Sequence, residues 1–180
     1  MKKLIAVVLV LSLMSGLAGC SSNGENNLQK EQMTQDFSVR FSWWIIDERK
    51  NIMDTEAGLL QKDLVSDGIA TAEFLPEQDF MQELYELICG GSLLSIKRKM
   101  TSRELATGDT LLAMTPNTYY EIAVNIDGKQ FLISGDQTAS GYTDTDEEAL
   151  CFMNTVTELI KLVKNIPEWQ TLPASNGAYQ

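Results

Sequence analysis

The first regular pattern of apolar and polar positions begins at Phe37. Every second residue is apolar from Phe37 to Ile45, and the positions between them are mostly polar. A period of two is typical of a β-strand with one buried face. Trp44 falls on the opposite face, so the far end of this predicted strand carries an aromatic side chain there too.

Two further pairs of strands are predicted, each around an Asp-Gly sequence. One pair covers residues 59–65 and 69–75, and the other covers residues 119–125 and 129–134. Asp-Gly between two β-prone segments favours the tight turn of a hairpin, because both residues tolerate a left-handed backbone. Strands joined by so short a turn must be antiparallel. A weaker extended stretch starts at about Ile52.

Two helices are predicted between and after these strands. The first begins at Pro76, whose fixed backbone suits a first turn, and ends at Gly90. The second begins where Thr145 and Glu148 match a capping box, and its apolar stripe continues to about Asn165. Each helix has one apolar face that another element must cover.

The order of elements is therefore strands, helix, strands, helix. An antiparallel sheet with two helices packed on one face buries the apolar side of every element, so the sequence predicts an α+β fold. We expect one globular domain over residues 36–175 and a loose C-terminal tail over residues 176–180. Residues 92–117 fit no single pattern.

The N-terminal segment has a different character. Lys2 and Lys3 precede an apolar run over residues 4–13, and small residues lead to Leu17-Ala18-Gly19-Cys20. This layout is typical of a secretory signal peptide, and the run is shorter than the roughly 20 residues that a membrane span needs. The last four residues resemble the lipobox of bacterial lipoproteins. That resemblance implies a leader over residues 1–19, cleavage after it, and a lipid on the sulfur of Cys20.

The lipoprotein resemblance also implies a place in the cell. A lipidated Cys20 anchors the chain on the extracytoplasmic face of the cell membrane, or in an outer membrane where an organism has two. Residues 20–35 then form a flexible tether, because they are rich in Ser, Asn, Gln, Gly and Glu. The membrane is thus one expected partner, and an envelope protein or glycan is another. The domain resembles those of small lipoproteins with this layout, which implies neither an activity nor a site residue.

Charge and composition exclude several functions. The chain has 14 basic and 25 acidic residues, a net charge of −11, and this repels the phosphates of nucleic acid. It has no histidine, so a histidine base and an imidazole zinc site are excluded. Glycine motifs that bind phosphate are absent, and the sequence indicates no metal and no cofactor. An enzyme is not favoured, although a hydrolase with two carboxylates stays open because acidic residues are numerous.

Two groups of potential ligands each have a plain structural interpretation. Cys89 and Cys151 fall in predicted helices beside apolar residues, and they are either two buried thiols or, outside the cytoplasm, a disulfide bridge. A reactive catalytic thiol is the least favoured alternative, because no histidine or nearby helix start activates it. Four carboxylates cluster at the start of the second helix and could bind calcium, although a match to the helix dipole explains them better. They are Asp144, Asp146, Glu147 and Glu148.

Five residues are candidates for a contact surface. Lys97, Arg98, Lys99 and Arg103 form a basic cluster in an otherwise acidic domain, and Trp44 is the aromatic residue expected on the open face of its strand. The cluster could contact lipid headgroups, wall polymers or an acidic partner. Its alternative role is charge balance within the domain.

The favoured hypothesis is a tethered binding or interaction module at the cell envelope. A small envelope hydrolase and a structural or inhibitory lipoprotein that acts on an envelope enzyme are the alternatives. An exposed cleft with two close carboxylates favours the hydrolase. A flat face that bears Trp44 favours a protein partner, and a groove lined by aromatic side chains favours a glycan.

The lipid anchor is testable at one residue. Replacing Cys20 with Ala removes the sulfur that carries the lipid, so we expect the variant to lose labelling by a fatty-acid probe and to be mislocalised. Labelling and membrane fractionation of the full chain and of Cys20→Ala measure this. Equal labelling of the two chains contradicts the prediction.

Overall fold

The computed structural model describes residues 33–108 and 111–179, and these form a six-stranded antiparallel sheet. The strands lie in the spatial order β4-β3-β2-β1-β5-β6. Their bounds are β1 Ser38–Trp44, β2 Lys50–Asp54, β3 Leu59–Asp63, β4 Ile69–Glu73, β5 Tyr119–Ile126 and β6 Lys129–Asp136. Strands β1 to β4 follow one another through short turns and pair in sequence order, and β5 pairs with the other side of β1. The predicted strand from Phe37 therefore lies in the middle of the sheet.

Two long helices cover one face of this sheet. Helix α1 spans Gln78–Cys89 and helix α3 spans Glu147–Asn165, with the short helices α2, Ser102–Leu105, and α4, Pro167–Thr171. The expected α+β fold is confirmed. No helix in the described residues is long and apolar enough to cross a membrane. Cys20 and the expected tether up to residue 32 lie outside the described residues.

The core lies between the sheet and the two long helices. Phe41 and Met53 from the sheet are fully buried, as are Leu84 from α1 and Phe152 from α3. They share one face because side chains alternate along a strand, whereas residues three or four apart share a helix face. Aromatic pairs join the two layers, and one of them places the rings of Tyr120 and Phe152 6.3 Å apart.

The start of α3 differs from the prediction. The capping box of Thr145 and Glu148 is wrong, because the helix begins one residue later and Asp146 caps it. The Asp146 carboxylate accepts a hydrogen bond of 2.9 Å from the Ala149 N–H. The Thr145 hydroxyl instead donates to the carbonyl of Tyr142, and Glu148 is left to pair with a distant side chain.

The segment before α2 runs along the free edge of β6. The Met100 N–H donates to the Ser134 carbonyl at 2.9 Å, and the Met100 carbonyl accepts from the Asp136 N–H at 2.9 Å. Between them, Gly135 is so crowded that a Cβ atom would lie 2.4 Å from the Met100 carbonyl oxygen and 2.8 Å from a ring carbon of Phe152. Only glycine lets this segment and α3 approach β6 so closely.

We expect Gly135→Ala to lower the free energy of unfolding by about 1–3 kcal/mol, since the added methyl group overpacks the core. Gly108→Ala is the matched control, because a Cβ atom added at Gly108 would meet no other atom within 4 Å. Urea denaturation of both variants measures the difference. Equal stability of Gly135→Ala and the parent chain contradicts the close packing described above.

Candidate functional site

A groove opens at one end of the sheet, beside the ends of β1, β2 and β3. It has a volume of about 570 Å³ and lies between these strands, α4 and the C-terminal segment. We call it the end groove. Its aromatic, polar and charged lining includes Trp43, Trp169, Tyr179, Asn51, Lys62, Asp63, Lys164 and Gln170.

The strand pattern explains why polar groups reach this groove from the helix-covered face. Trp43 on β1 pairs with Asn51 on β2, so both side chains point to the same face, which α1 and α3 cover elsewhere. Helix α3 ends at Asn165, however, and only the short α4 continues the helical layer. The end of the sheet is therefore left partly open, and polar side chains occupy positions that are apolar further along.

The two indoles of the groove form a fixed wall. The ring of Trp43 stacks on Phe41 at 5.1 Å and lies 5.5 Å from the ring of Trp169. The Lys62 ammonium lies 5.6 Å from the centroid of the Trp169 ring. Trp169 is only 5% exposed. Because their faces already contact other groups, these rings are not open platforms on which a sugar stacks.

Asp63 is buried, and each oxygen of its carboxylate accepts a hydrogen bond from the protein. One of its oxygens accepts a bond of 2.8 Å from the Val65 N–H, and the other accepts a bond from the Tyr179 hydroxyl. The Asp63 N–H in turn donates to the side-chain oxygen of Asn51 at 3.0 Å. The acceptors at the base of the groove are thus already paired with groups of the protein.

The C-terminal segment forms one side of the groove. Composition predicts a loose tail from residue 176, whereas the Asn176 N–H donates to the Leu64 carbonyl and the Asn176 carbonyl accepts from the Ser66 N–H. These two bonds place the C-terminal segment beside the end of β3, where the Tyr179 hydroxyl donates a hydrogen bond to the Asp63 carboxylate. Backbone hydrogen bonds of this kind use the N–H and C=O groups that nearly every residue has. A pattern of side chains therefore does not predict them.

Val65 holds a strained backbone next to these hydrogen bonds. Its φ angle is 64°, a left-handed conformation that a β-branched residue rarely adopts. The Asp63 carboxylate binds its N–H, and the Arg49 guanidinium donates to its carbonyl. Such strain persists where surrounding bonds fix the backbone, and it concentrates at functional sites.

A second cavity, of about 430 Å³, lies on the open face of the sheet and contains two neighbouring carboxylates. Asp54 pairs with Arg40 at 3.0 Å and accepts hydrogen bonds from the N–H groups of Glu56 and Ala57. Glu56 accepts a bond from the Ser38 hydroxyl. Both carboxylates thus have internal partners, unlike a hydrolase pair that leaves one group for the leaving atom and one for attack.

The structure places Trp44 on the open face of the sheet, as expected. Its ring stacks on Tyr119 at 5.9 Å, and the Lys50 ammonium lies 3.9 Å from its centroid. Tyr119 is 41% exposed, so the pair forms an accessible aromatic patch. We call Trp44, Tyr119 and Lys50 the open-face patch.

The basic cluster lies elsewhere, with β5 and β6 between it and Trp44. Arg98 forks to Asp146 and to Glu148, the latter at 2.7 Å, and so balances charge at the start of α3. The Lys97 ammonium lies 5.8 Å from the ring of Phe131. Lys99 and Arg103 are exposed. The five predicted contact residues therefore do not form one surface.

The fork shifts the pKa of Arg98 and that of Asp146. The hydrogen bonds that Arg98 donates to Glu148 and then to Asp146 raise the pKa of Arg98. Burial alone would raise the pKa of Asp146, but hydrogen bonds from the Ala149 N–H and Arg98 outweigh it and lower that pKa. Of the four carboxylates named for the calcium alternative, Asp146 caps α3 and pairs with Arg98, and Glu148 pairs with Arg98. No group of three metal-ligating side chains occurs among residues 33–108 and 111–179.

The two domain cysteines lie on different helices, Cys89 at the end of α1 and Cys151 in α3. The structure has them as two half-buried thiols with no bond joining them.

The lowered pKa of Asp146 predicts a pH-dependent stability. A carboxylate with a lowered pKa stabilises the fold above its ordinary value of 3.8, and this contribution is lost as the pH falls below it. At pH 7 we expect Asp146→Asn, which keeps a capping side chain, to be less stable by about 0.5–1 kcal/mol. Urea denaturation at several pH values measures the difference, which should vanish in acid.

Arg98→Gln provides the control for the same measurement. Where Arg98 is absent, the substitution of Asp146 should cost less, because the two side chains are coupled. An unchanged cost in that background contradicts the assignment of the ion pair.

The sequence analysis named Trp44, which does not line the end groove, and it named none of Lys62, Lys164, Gln170 and Tyr179, which do. These lie in four separate segments, and no local motif joins them. In comparisons with known proteins, the chain matches no family model and no curated sequence. The candidate site therefore rests on geometry alone: a groove of polar and aromatic side chains at the open end of an α+β sheet.

Proposed function

We propose that this protein is a lipid-anchored binding module of the bacterial cell envelope, and that it holds its ligand in the end groove. The groove carries this proposal because it is concave and combines fixed aromatic walls with hydrogen-bond donors. Pockets of roughly 300–1,000 Å³ hold small ligands. The end groove, at about 570 Å³, and the open-face cavity, at about 430 Å³, both lie within that range, and the lysine donors distinguish the end groove. Its ligand is a small molecule or the terminal unit of a glycan.

Binding fits this site better than catalysis. General acid–base chemistry needs a side chain that can exchange a proton with the substrate. The carboxylate of the end groove, Asp63, is bonded to Val65 and Tyr179. Histidine, the side chain that most often performs such a transfer, is absent from the chain. The indole rings of Trp43 and Trp169 cannot transfer a proton either. They therefore contribute to the shape of the groove and not to acid–base chemistry.

The N-terminal sequence supports the anchor. Leu17-Ala18-Gly19-Cys20 follows a charged start and an apolar run, as in lipoproteins. The composition of residues 21–34 is that of a spacer, which stretches to on the order of 45 Å at about 3.3–3.6 Å per residue. An anionic bilayer repels the acidic domain. The tether and this repulsion together would hold the groove away from the membrane surface, in the space where envelope ligands diffuse.

The open-face patch supports a second candidate, an interaction with an envelope protein. Exposed aromatic side chains on a flat face are typical of protein contacts. The patch is small, and Lys50 already occupies one side of Trp44. We therefore rank the end groove first.

Photo-crosslinking in the native envelope separates the two candidates. A photoreactive phenylalanine derivative replaces Gln170 in the groove, Tyr119 in the open-face patch, or the exposed Asn154 on α3 as a matched control. We expect a glycan or small-molecule adduct from position 170 alone. A dominant protein adduct from position 119, with none from position 170, contradicts the proposal and favours the second candidate.

A further inference from the structure

Two lysines reach the end groove from different parts of the chain. Lys62 extends from β3, and Lys164 lies in the last turn of α3. Both line the groove. Within residues 33–108 and 111–179, no salt bridge includes either of them. Two ammonium groups without a carboxylate partner among the described residues thus line one groove, in a chain whose net charge is −11.

The hydrogen-bonding inventory of the groove is unbalanced toward donors. Each lysine ammonium offers three N–H groups and no acceptor. The Gln170 amide uses one hydrogen in its bond of 3.2 Å to the Lys164 carbonyl and keeps a second. On the acceptor side, the Asp63 carboxylate and the Asn51 oxygen are already bonded within the protein. A ligand that fits this inventory supplies acceptors.

The surroundings strengthen the attraction for negative charge. The Trp169 ring lies beside the Lys62 ammonium and reduces its freedom, so less order is lost when an anion binds. Arg49 lies on the far side of the groove wall, with its guanidinium 5.8 Å from the ring of Tyr179.

We infer that the end groove binds an oxyanion, the carboxylate or phosphate group of a small sugar-like ligand, between Lys62 and Lys164. The inference rests on the proposed binding function and deepens it by naming the ligand class. Charge-assisted hydrogen bonds from the ammonium groups hold the oxyanion. The second hydrogen of the Gln170 amide and the walls of the groove position the rest of the molecule.

Tryptophan fluorescence tests the inference on the full chain purified in detergent. In the Trp44→Phe variant, the remaining tryptophans are Trp43 and Trp169, and both line the groove. Their emission therefore reports on the groove alone. The probes are glucuronic acid, glucose 6-phosphate and, as the neutral control, glucose. We expect a saturable change with at least one charged probe, weaker in high salt, and none with glucose.

Substitutions of lysine in the same background locate the charge. Lys62→Gln and Lys164→Gln should each weaken binding of the charged probe by about tenfold or more, the loss expected for one hydrogen bond to a charged group. Lys161→Gln is the matched control, since Lys161 lies one turn earlier on α3 and pairs with Glu158. It should leave the affinity unchanged. Thermal unfolding of each variant verifies that the fold is intact.

The outcomes distinguish the sources of the oxyanion and the two proposals. Binding of glucuronic acid alone identifies a carboxylate ligand, and binding of glucose 6-phosphate alone identifies a phosphate ligand. Equal binding of glucose, no binding of either charged probe, or an affinity that ignores Lys62 and Lys164 overturns the inference. If the oxyanion inference fails but adducts still form at position 170 in the envelope, the proposed binding function stands. If no adducts form there either, both proposals are wrong.

Discussion

The fold depends on the burial of one sheet face beneath α1 and α3. Phe41 and Met53 on the sheet meet Leu84 and Phe152 on the helices, and water is excluded from all four. This removal of apolar surface from water is the main favourable contribution to folding. It also sets the limits of the helical layer. Where α3 ends, at Asn165, cover is lost and the end groove begins.

The groove combines rigidity with donor groups. Its floor is fixed because the Asp63 carboxylate holds the backbone of Val65 and the side chain of Tyr179 together. The same bonds occupy both oxygens of the acidic group. The positive character of the groove follows from its two lysines, which outnumber its one carboxylate.

Similar residues have different roles elsewhere on the domain. Arg98 belongs to the basic cluster that composition marks as a contact surface, yet its guanidinium joins Asp146 and Glu148 and fixes the segment along β6 to α3. Charge clusters in sequence do not distinguish a ligand site from an internal ion pair, because the distinction depends on distant carboxylates. Trp44, by contrast, lies on the open face that its strand position predicts.

The sequence by itself determined the local elements of this protein. Alternating apolar positions, Asp-Gly turns and amphipathic stripes are short-range features, so they specified β1, both hairpins and both long helices. Only the tertiary structure decided the site. Lys62 and Lys164 are far apart in the chain, and Tyr179 comes to line the same groove through the backbone bonds of Asn176. Such contacts depend on how the elements pack, and a local pattern carries no record of that packing.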